Sequence, residues 1–521
     1  MPGRRACSSM SRWVGLMAAA VLCVAMVLMG TASGASTFRV AVGIDPDTLD
    51  PVQMTTTTVA NMVDYIVETL VTIDQRGEVR PLLAESWQVS SDGLQYTFRL
   101  RTDVAFHDGT PFNAEAVKWN LDRILDTGVR VPVRAPYSAM EKVEVTEPST
   151  VKVTLKHPSA PFLSALSWTT AAIVSPAAAD KFGNEYKSYQ HPVGTGPYVF
   201  KERKKGESIM VTLNNEYWGR RPYYETVLFR IVPEAATRES LLLAGQVDLI
   251  ILPPVADLPA LERNPATKVL MAPSDRTIFI AINTLKPPLN DPRVRQALNY
   301  AVDKTAIVKS VLFGAADVMD APMAPSLFGY CRVGAYEYNP TKARELLAQA
   351  GIPPGAKLQL ITPTGRYVQD FQASQAIAGF LREVGLQIDV QTMDWPSFIA
   401  TINAPADKNT TQLHYLGWAP AFLDASQQML QFLSSYAPPN GLATTFYKDP
   451  AVDQLIQTAE RELNPDGRKD FYCQISQKVW DDAPWIFLWV QRFPIVYSAK
   501  VAGVSSLPNE KFYALYAHPA Q

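Results

Sequence analysis

From residue 36 onward the chain alternates between two periodicities of apolar residues. Phe38-Arg39-Val40-Ala41-Val42 predicts a first strand. A polar loop over Asp45 to Thr58 then leads into a helix carrying Val59, Met62, Val63, Ile66 and Leu70 on one face. Ser91-Asp92-Gly93 and His107-Asp108-Gly109-Thr110-Pro111 carry turn chemistry, since Gly accepts positive φ and Asp bonds back onto the backbone. Between them Tyr96 to Leu100 alternates like a half-buried strand. Asn113 is placed as the N-cap of a helix with Val117, Leu121, Ile124 and Leu125 on one face. Val143, Val145, Val151, Val153 and Leu155 read as a hairpin.

Between Asn339 and Trp418 the pattern becomes strand–helix–strand. Asn339 caps a helix with Pro340 at its first position, Ala343, Leu346, Leu347 and Ala350 as its apolar stripe, and Gly351 at its end. Leu358 to Ile361 is a short apolar strand. Ile377, Phe380, Leu381 and Val384 mark the next helix, closed by Gly385, and Leu386, Ile388 and Val390 the next strand. That unit implies parallel strands with a helical crossover. A second crossover through Trp395, Phe398, Ile399 and Ile402 leads to a strand over Leu413 to Gly417.

Ligands of open α/β sheets sit beyond the carboxyl ends of the parallel strands. Arg366, in Thr364-Gly365-Arg366-Tyr367, follows one such strand, and Trp418 follows Gly417 at the end of another. Thr55, Thr56, Thr57 and Thr58 offer a facing rim after the first strand, and Trp395 joins the set from the second crossover. A solvated loop arginine, a core tryptophan and a helix-capping threonine run remain the alternatives.

The wording AESW, SDGLQYTFRLR and FHDGTPFNAEAVKWNLDR, with VGTGPY, NNEYW and KPPLNDPRVRQALNYAVD further on, resembles the extracytoplasmic solute-binding proteins of ABC importers, family 5. The resemblance recurs from about Phe38 to Phe487. It implies a two-lobed periplasmic binding protein fold (type II, cluster C) of α/β class, with an extra β-rich subdomain in the first lobe. The implied division is 36–75, 198–284 and 492–521 for the first lobe, 76–197 for the subdomain and 285–491 for the second lobe. The lobes would hinge near Ile282-Asn283 and Gln491-Arg492, with VGTGPY as a structural crossing between lobes rather than a phosphate loop.

The same resemblance implies capture of a peptide or peptide-like solute and its delivery to membrane permease subunits, by a monomer without catalysis or cofactor. In dipeptide-binding relatives an arginine matching Arg366 pairs with the ligand carboxylate, and a Gly-Trp pair matches Gly417-Trp418. The aspartate that holds the peptide amine has become Ala421 here, which favours a ligand without a free amine. Glutathione-like, opine, metal-chelate or haem ligands are the alternative within the fold. Asp424 is read as structural.

Composition narrows the remaining classes. Forty-eight Lys and Arg against 50 Asp and Glu give a net charge of −2, which offers no electrostatic footprint for nucleic acid. No GxSxG, HExxH or CxxC occurs, and the five His residues lack metal-ligand spacing, so a hydrolase is a remote reading and no metal site is expected. His107 is expected as a hydrogen-bonding turn residue. Arg4, Arg5 and Arg12 precede the apolar run Trp13 to Met29, and Ser33-Gly34-Ala35 fits a signal-peptidase site. A Sec signal over 1–35 and a periplasmic protein that is not a lipoprotein are expected, since Ala20-Val21-Leu22 before Cys23 lacks the small residue that lipidation requires. Cys331 and Cys473 then remain, open to pairing or to separate burial.

Overall fold

The computed structural model describes residues 36–521 except Asp47, Thr55, Lys187 and Gln190. The leader expectation for 1–35 and the ligand expectation for Thr55 therefore lie outside the described residues. The first lobe is built on a seven-stranded sheet in the order Thr267–Ala272, Phe493–Ser498, Leu249–Ile251, Thr37–Val42, Thr226–Ile231, Ser208–Leu213, Tyr198–Lys204. Thr37–Val42 lies parallel to both its neighbours, so its carboxyl end opens onto the polar loop that follows. The second lobe has a six-stranded sheet ordered Ala316–Val318, Trp485–Gln491, Thr277–Ile282, Leu413–Trp418, Lys357–Pro363, Gln387–Met393. Both crossovers deduced from periodicity are present, because Lys357–Pro363 runs parallel to Gln387–Met393 and to Leu413–Trp418.

Local chemistry explains the elements that carry the site. Asn339 accepts the N–H of Lys342 to cap the helix Pro340–Gln349, and Asn113 accepts that of Ala116 to cap Ala114–Leu125. Gly351 and Gly385 hold φ of +72° and +98° just after the second-lobe helices Pro340–Gln349 and Asp370–Glu383, where the chain turns into strands. The extra subdomain is a four-stranded sheet, Ala84–Val89, Gln95–Leu100, Thr150–Leu155, Met140–Glu147, backed by Ala114–Leu125. Cys331 and Cys473 are joined in a disulfide, which ties the segment before the helix Pro340–Gln349 to the helix Pro465–Asp482.

Three expectations need correction. The helix after the first loop ends at Val63 and does not include Ile66 or Leu70. There the backbone is committed elsewhere: Gly196 donates to the Ile66 carbonyl (2.9 Å) and Tyr198 to the Tyr65 carbonyl (3.0 Å). For the same reason VGTGPY does not cross between lobes. It lies along Tyr65–Val67 and leads from the subdomain into the first-lobe strand Tyr198–Lys204. The first change of lobe also falls earlier than Ile282-Asn283. Thr277–Ile282 pairs with Leu413–Trp418 and Trp485–Gln491 of the second sheet, so the crossing lies between Ala272 and Thr277. The return crossing follows Gln491, where Trp485–Gln491 of the second sheet gives way to Phe493–Ser498 of the first.

His107 secures the glycine-rich segment. Its Nε2 lies 2.9 Å from the Gly196 carbonyl, and its Nδ1 faces the Gly194 N–H at 3.4 Å. A neutral ring donating from Nε2 and accepting at Nδ1 fits both, and burial pushes its pKa down to about 4.

Beside it, buried Glu68 accepts from Thr195 Oγ1 (2.8 Å), Tyr217 Oη (2.8 Å) and Trp218 Nε1 (2.9 Å). Burial outweighs these donors and raises its pKa from 4.5 to about 6. A carboxyl with a raised folded-state pKa holds its proton longer when folded, so its contribution to stability is full below 4.5 and lost as pH rises through about 6. A shift of that size corresponds to about 2 kcal/mol. Unfolding free energy measured from pH 4 to 7 is therefore expected to fall more steeply in wild type than in Glu68→Gln. Parallel curves for the two proteins would contradict this account of Glu68.

Candidate ligand site between the lobes

The loop carrying Arg366 is shaped by one carboxylate. Asp370 accepts the backbone N–H groups of Gly365 (3.1 Å), Arg366 (2.8 Å), Tyr367 (3.1 Å) and Phe371 (2.9 Å). Four charge-assisted bonds to one buried side chain fix the direction in which Arg366 leaves the strand Lys357–Pro363. Its guanidinium carbon then stands 5.0 Å from the Tyr367 ring centre and 5.1 Å from that of Trp395. These two rings are nearly perpendicular, 6.1 Å apart. Tyr367 Oη donates to the Gly417 carbonyl at 3.2 Å.

Arg366, Trp395 and Gly417 are thus brought together, with Trp418 next along the strand. Gly417 serves as space. A Cβ there would lie 2.6 Å from Tyr367 Cε1 and 2.7 Å from Ile278 Cδ1, so only glycine lets Tyr367 lie across the strand end. Trp418 is half-buried and donates through Nε1 to the Gln427 carbonyl at 3.3 Å.

Arg366 is half-buried and has no salt-bridge partner among the described residues. Burial lowers its pKa from the ordinary arginine value, and nearby Arg276 adds to this while Tyr367 and Glu510 oppose it. It stays charged, and it is a cation prepared without an anion.

The first-lobe residues Thr56, Thr57 and Thr58 lie at the start of a helix. Thr56 Oγ1 accepts the Val59 N–H (3.3 Å) and so caps the helix Thr57–Val63, in whose first turn Thr57 and Thr58 are half-buried. Near Arg366 stands a group that no sequence motif announced. Arg276, on the first crossing, pairs with Glu510 through Nε–Oε1 (2.8 Å) and Nη2–Oε2 (2.5 Å). Ser274 Oγ adds a third contact to Glu510 at 3.1 Å. Both charged residues are buried. Burial raises the Glu510 pKa, but Arg276 outweighs it and the net shift is downward. Asp275, between Ser274 and Arg276 in sequence, is fully buried, and neither of its carboxyl oxygens has a hydrogen-bond partner. Burial and the neighbouring Glu510 push its pKa well above the ordinary range. The signal for these three was spread over residues 275 and 510, too far apart for any motif.

Ala421 lies where the two lobes meet. It is 7% exposed and belongs to the apolar cluster of the first lobe. Its N–H donates to Gln427 Oε1 (2.6 Å) and its carbonyl accepts from Asn509 Nδ2 (3.1 Å). Position 421 is a contact between the lobes, packed against protein from both. Asp424 is structural: Arg468 holds it through two bonds of 2.7 and 2.6 Å, and it caps Ser426.

Comparison with known proteins decides the class. Residues 78–440 match the model of bacterial extracellular solute-binding proteins, family 5. The chain belongs to this family. The glutathione-binding protein of Pectobacterium atrosepticum is 32% identical over 91% of this chain and 92% of that protein. An ABC transporter-associated periplasmic binding protein from Helicobacter pylori, solved with the peptide STSA, superposes with a TM-score of 0.82 at 26% identity, covering 93% of this chain and 98% of that one. A Campylobacter jejuni protein solved with nickel and L-histidine superposes at 0.79 with 25% identity, covering 91% and 96%. As a family 5 solute-binding protein, the chain is the capturing component of an ABC importer, and its two lobes are those of the periplasmic binding protein fold. Among the described residues no helix is long and apolar enough to cross a membrane.

Proposed function

We propose that this family 5 protein captures a carboxylate-bearing, peptide-like solute between its lobes and hands it unchanged to membrane permease subunits. The observation that carries this reading is the half-buried Arg366 guanidinium, which has no salt-bridge partner among the described residues and is braced by Asp370, Tyr367 and Trp395. A guanidinium grips both oxygens of a carboxylate in one plane, and in a partly desolvated cleft that contact is worth more than in water. Trp418, which follows Gly417 on the same strand, offers half-buried apolar surface. The relatives named for glutathione and crystallised with the peptide STSA support the same chemistry. A metal chelate that itself carries carboxylates, as in the nickel–histidine neighbour, would use the same anchor.

The protein acts outside the cytoplasm, after cleavage of a Sec signal behind Ala35, as a non-lipidated monomer that turns over no substrate. N-terminal sequencing of secreted material is expected to begin at Ser36. The decisive measurement is mass spectrometry of ligand released from gently purified protein. A carboxylate-containing small molecule, recovered intact after incubation, is expected. A hydrolysed or otherwise altered product would replace this reading with an enzymatic one.

A further inference from the structure

Near Arg366 the structure places a second guanidinium that is withheld from ligand. Arg276 is buried and bound at two points by Glu510. The two sites are physically connected. Val368, two residues after Arg366, donates to Gln491 Oε1 (3.4 Å), and the Gln491 N–H donates to the Arg276 carbonyl (2.9 Å). Arg276 and Glu510 both act electrostatically on Arg366, in opposite senses.

Glu510 itself is held in an unusual place. Its φ is +60°, a left-handed conformation that a long side chain rarely adopts. Asn61 Nδ2 donates to its carbonyl (2.8 Å), Ser274 Oγ to its carboxylate, and Lys511 is tied to Asp64 (2.8 Å). The turn Pro508-Asn509-Glu510-Lys511 thus touches the first-lobe helix, the crossing at Asp275, whose N–H donates to the Pro508 carbonyl (2.7 Å), and Ala421 of the second lobe. All of this fixes one carboxylate against one guanidinium.

We infer that Glu510 is a specificity-determining residue, which neutralises Arg276 so that the anion site keeps the single positive charge of Arg366 and selects one carboxylate over a divalent anion. The inference rests on the reading of Arg366 as the anion anchor. Asp275, next to Arg276 in the chain, is fully buried, and neither of its carboxyl oxygens has a hydrogen-bond partner. Removing either partner of the pair then acts in opposite directions. Without Glu510, Arg276 adds a second positive charge, which a divalent anion feels twice as strongly as a monovalent one. Without Arg276, Glu510 is left to neutralise Arg366.

The test needs no knowledge of the natural ligand. Formate and sulfate are titrated against the full mature chain, with tryptophan fluorescence as readout and Trp395→Phe identifying the reporter. Wild type is expected to respond to formate at least as well as to sulfate, and Arg366→Gln to neither. In Glu510→Gln the sulfate-to-formate affinity ratio should rise roughly ten-fold or more, as expected for one extra nearby charge at intermediate dielectric. In Arg276→Gln the response to both anions should be lost although Arg366 is intact. The double variant removes both members of the pair together and is expected to fold with the wild-type ratio. If Glu510→Gln does not fold, Arg276→Gln and the double variant still decide. An unchanged ratio in Glu510→Gln, or retained anion binding in Arg276→Gln, overturns the inference. Identical behaviour of wild type and Arg366→Gln would instead remove the anchor on which it rests.

Discussion

Alanine at Gly194 or Gly196 is expected to destabilise this protein severely. A Cβ on Gly194 would lie 2.2 Å from the Ile66 carbonyl oxygen and 2.8 Å from Val67 Cα; on Gly196 it would lie 2.7 Å from the Ile66 carbonyl carbon. The obstruction is backbone on both sides, so no rotamer relieves it. Moving the segments apart would also break the bonds from Gly196 and Tyr198 to Ile66 and Tyr65, and those His107 makes to both glycines. A loss above about 4 kcal/mol belongs to this kind of mechanism. Denaturant unfolding should show it, or the variants should fail to accumulate. Gly379→Ala is the contrast. This glycine lies within the helix Asp370–Glu383 with nothing within 4 Å of an added Cβ, so the substitution should stabilise by about 0.5–1 kcal/mol. Equal midpoints for Gly194→Ala and wild type would mean that the two backbones do not meet.

Arg366→Ala is expected to have the largest effect on binding. Removing one member of a desolvated charged pair typically costs about 2–5 kcal/mol. That corresponds to roughly 30-fold to several thousand-fold in affinity. Calorimetry with the recovered ligand, or with glutathione as the first probe, measures it directly. Arg366→Lys should fall between wild type and alanine, because an ammonium keeps the charge but not the planar two-point grip. Acetylating the amine of a small peptide should leave its affinity largely unchanged, since position 421 is occupied by Asn509 and the first-lobe core. Unchanged affinity in Arg366→Ala would discard the anion anchor. Binding that disappears on acetylation would mean that another acid holds the amine.

Lobe closure follows from the same arrangement. The lobes are in contact through Asn509 to Ala421 and through the Ala160 N–H to the Glu460 carbonyl (2.9 Å). A ligand can favour this state only by binding it more tightly than the open one.

Periodicity and capping chemistry by themselves determined the strand–helix–strand run from Asn339 to Trp418, the hairpin Val143 to Leu155, and the strand ends where Arg366 and Trp418 lie. Those features depend on residues within a few positions of each other, and the physics that sets them is local. The family wording determined the two lobes and the class of function. Tertiary structure alone decided which groups face Arg366. Arg276 and Glu510 are 234 positions apart in the chain, and their pairing arises because the first crossing and the C-terminal turn meet over the helix Thr57–Val63. It also decided that Ala421 lies where the two lobes meet, that the first crossing precedes Thr277, and that the helix after the first loop stops at Val63. In each case a backbone group or a charge found its partner in a distant segment, and long-range pairing leaves no period in the sequence.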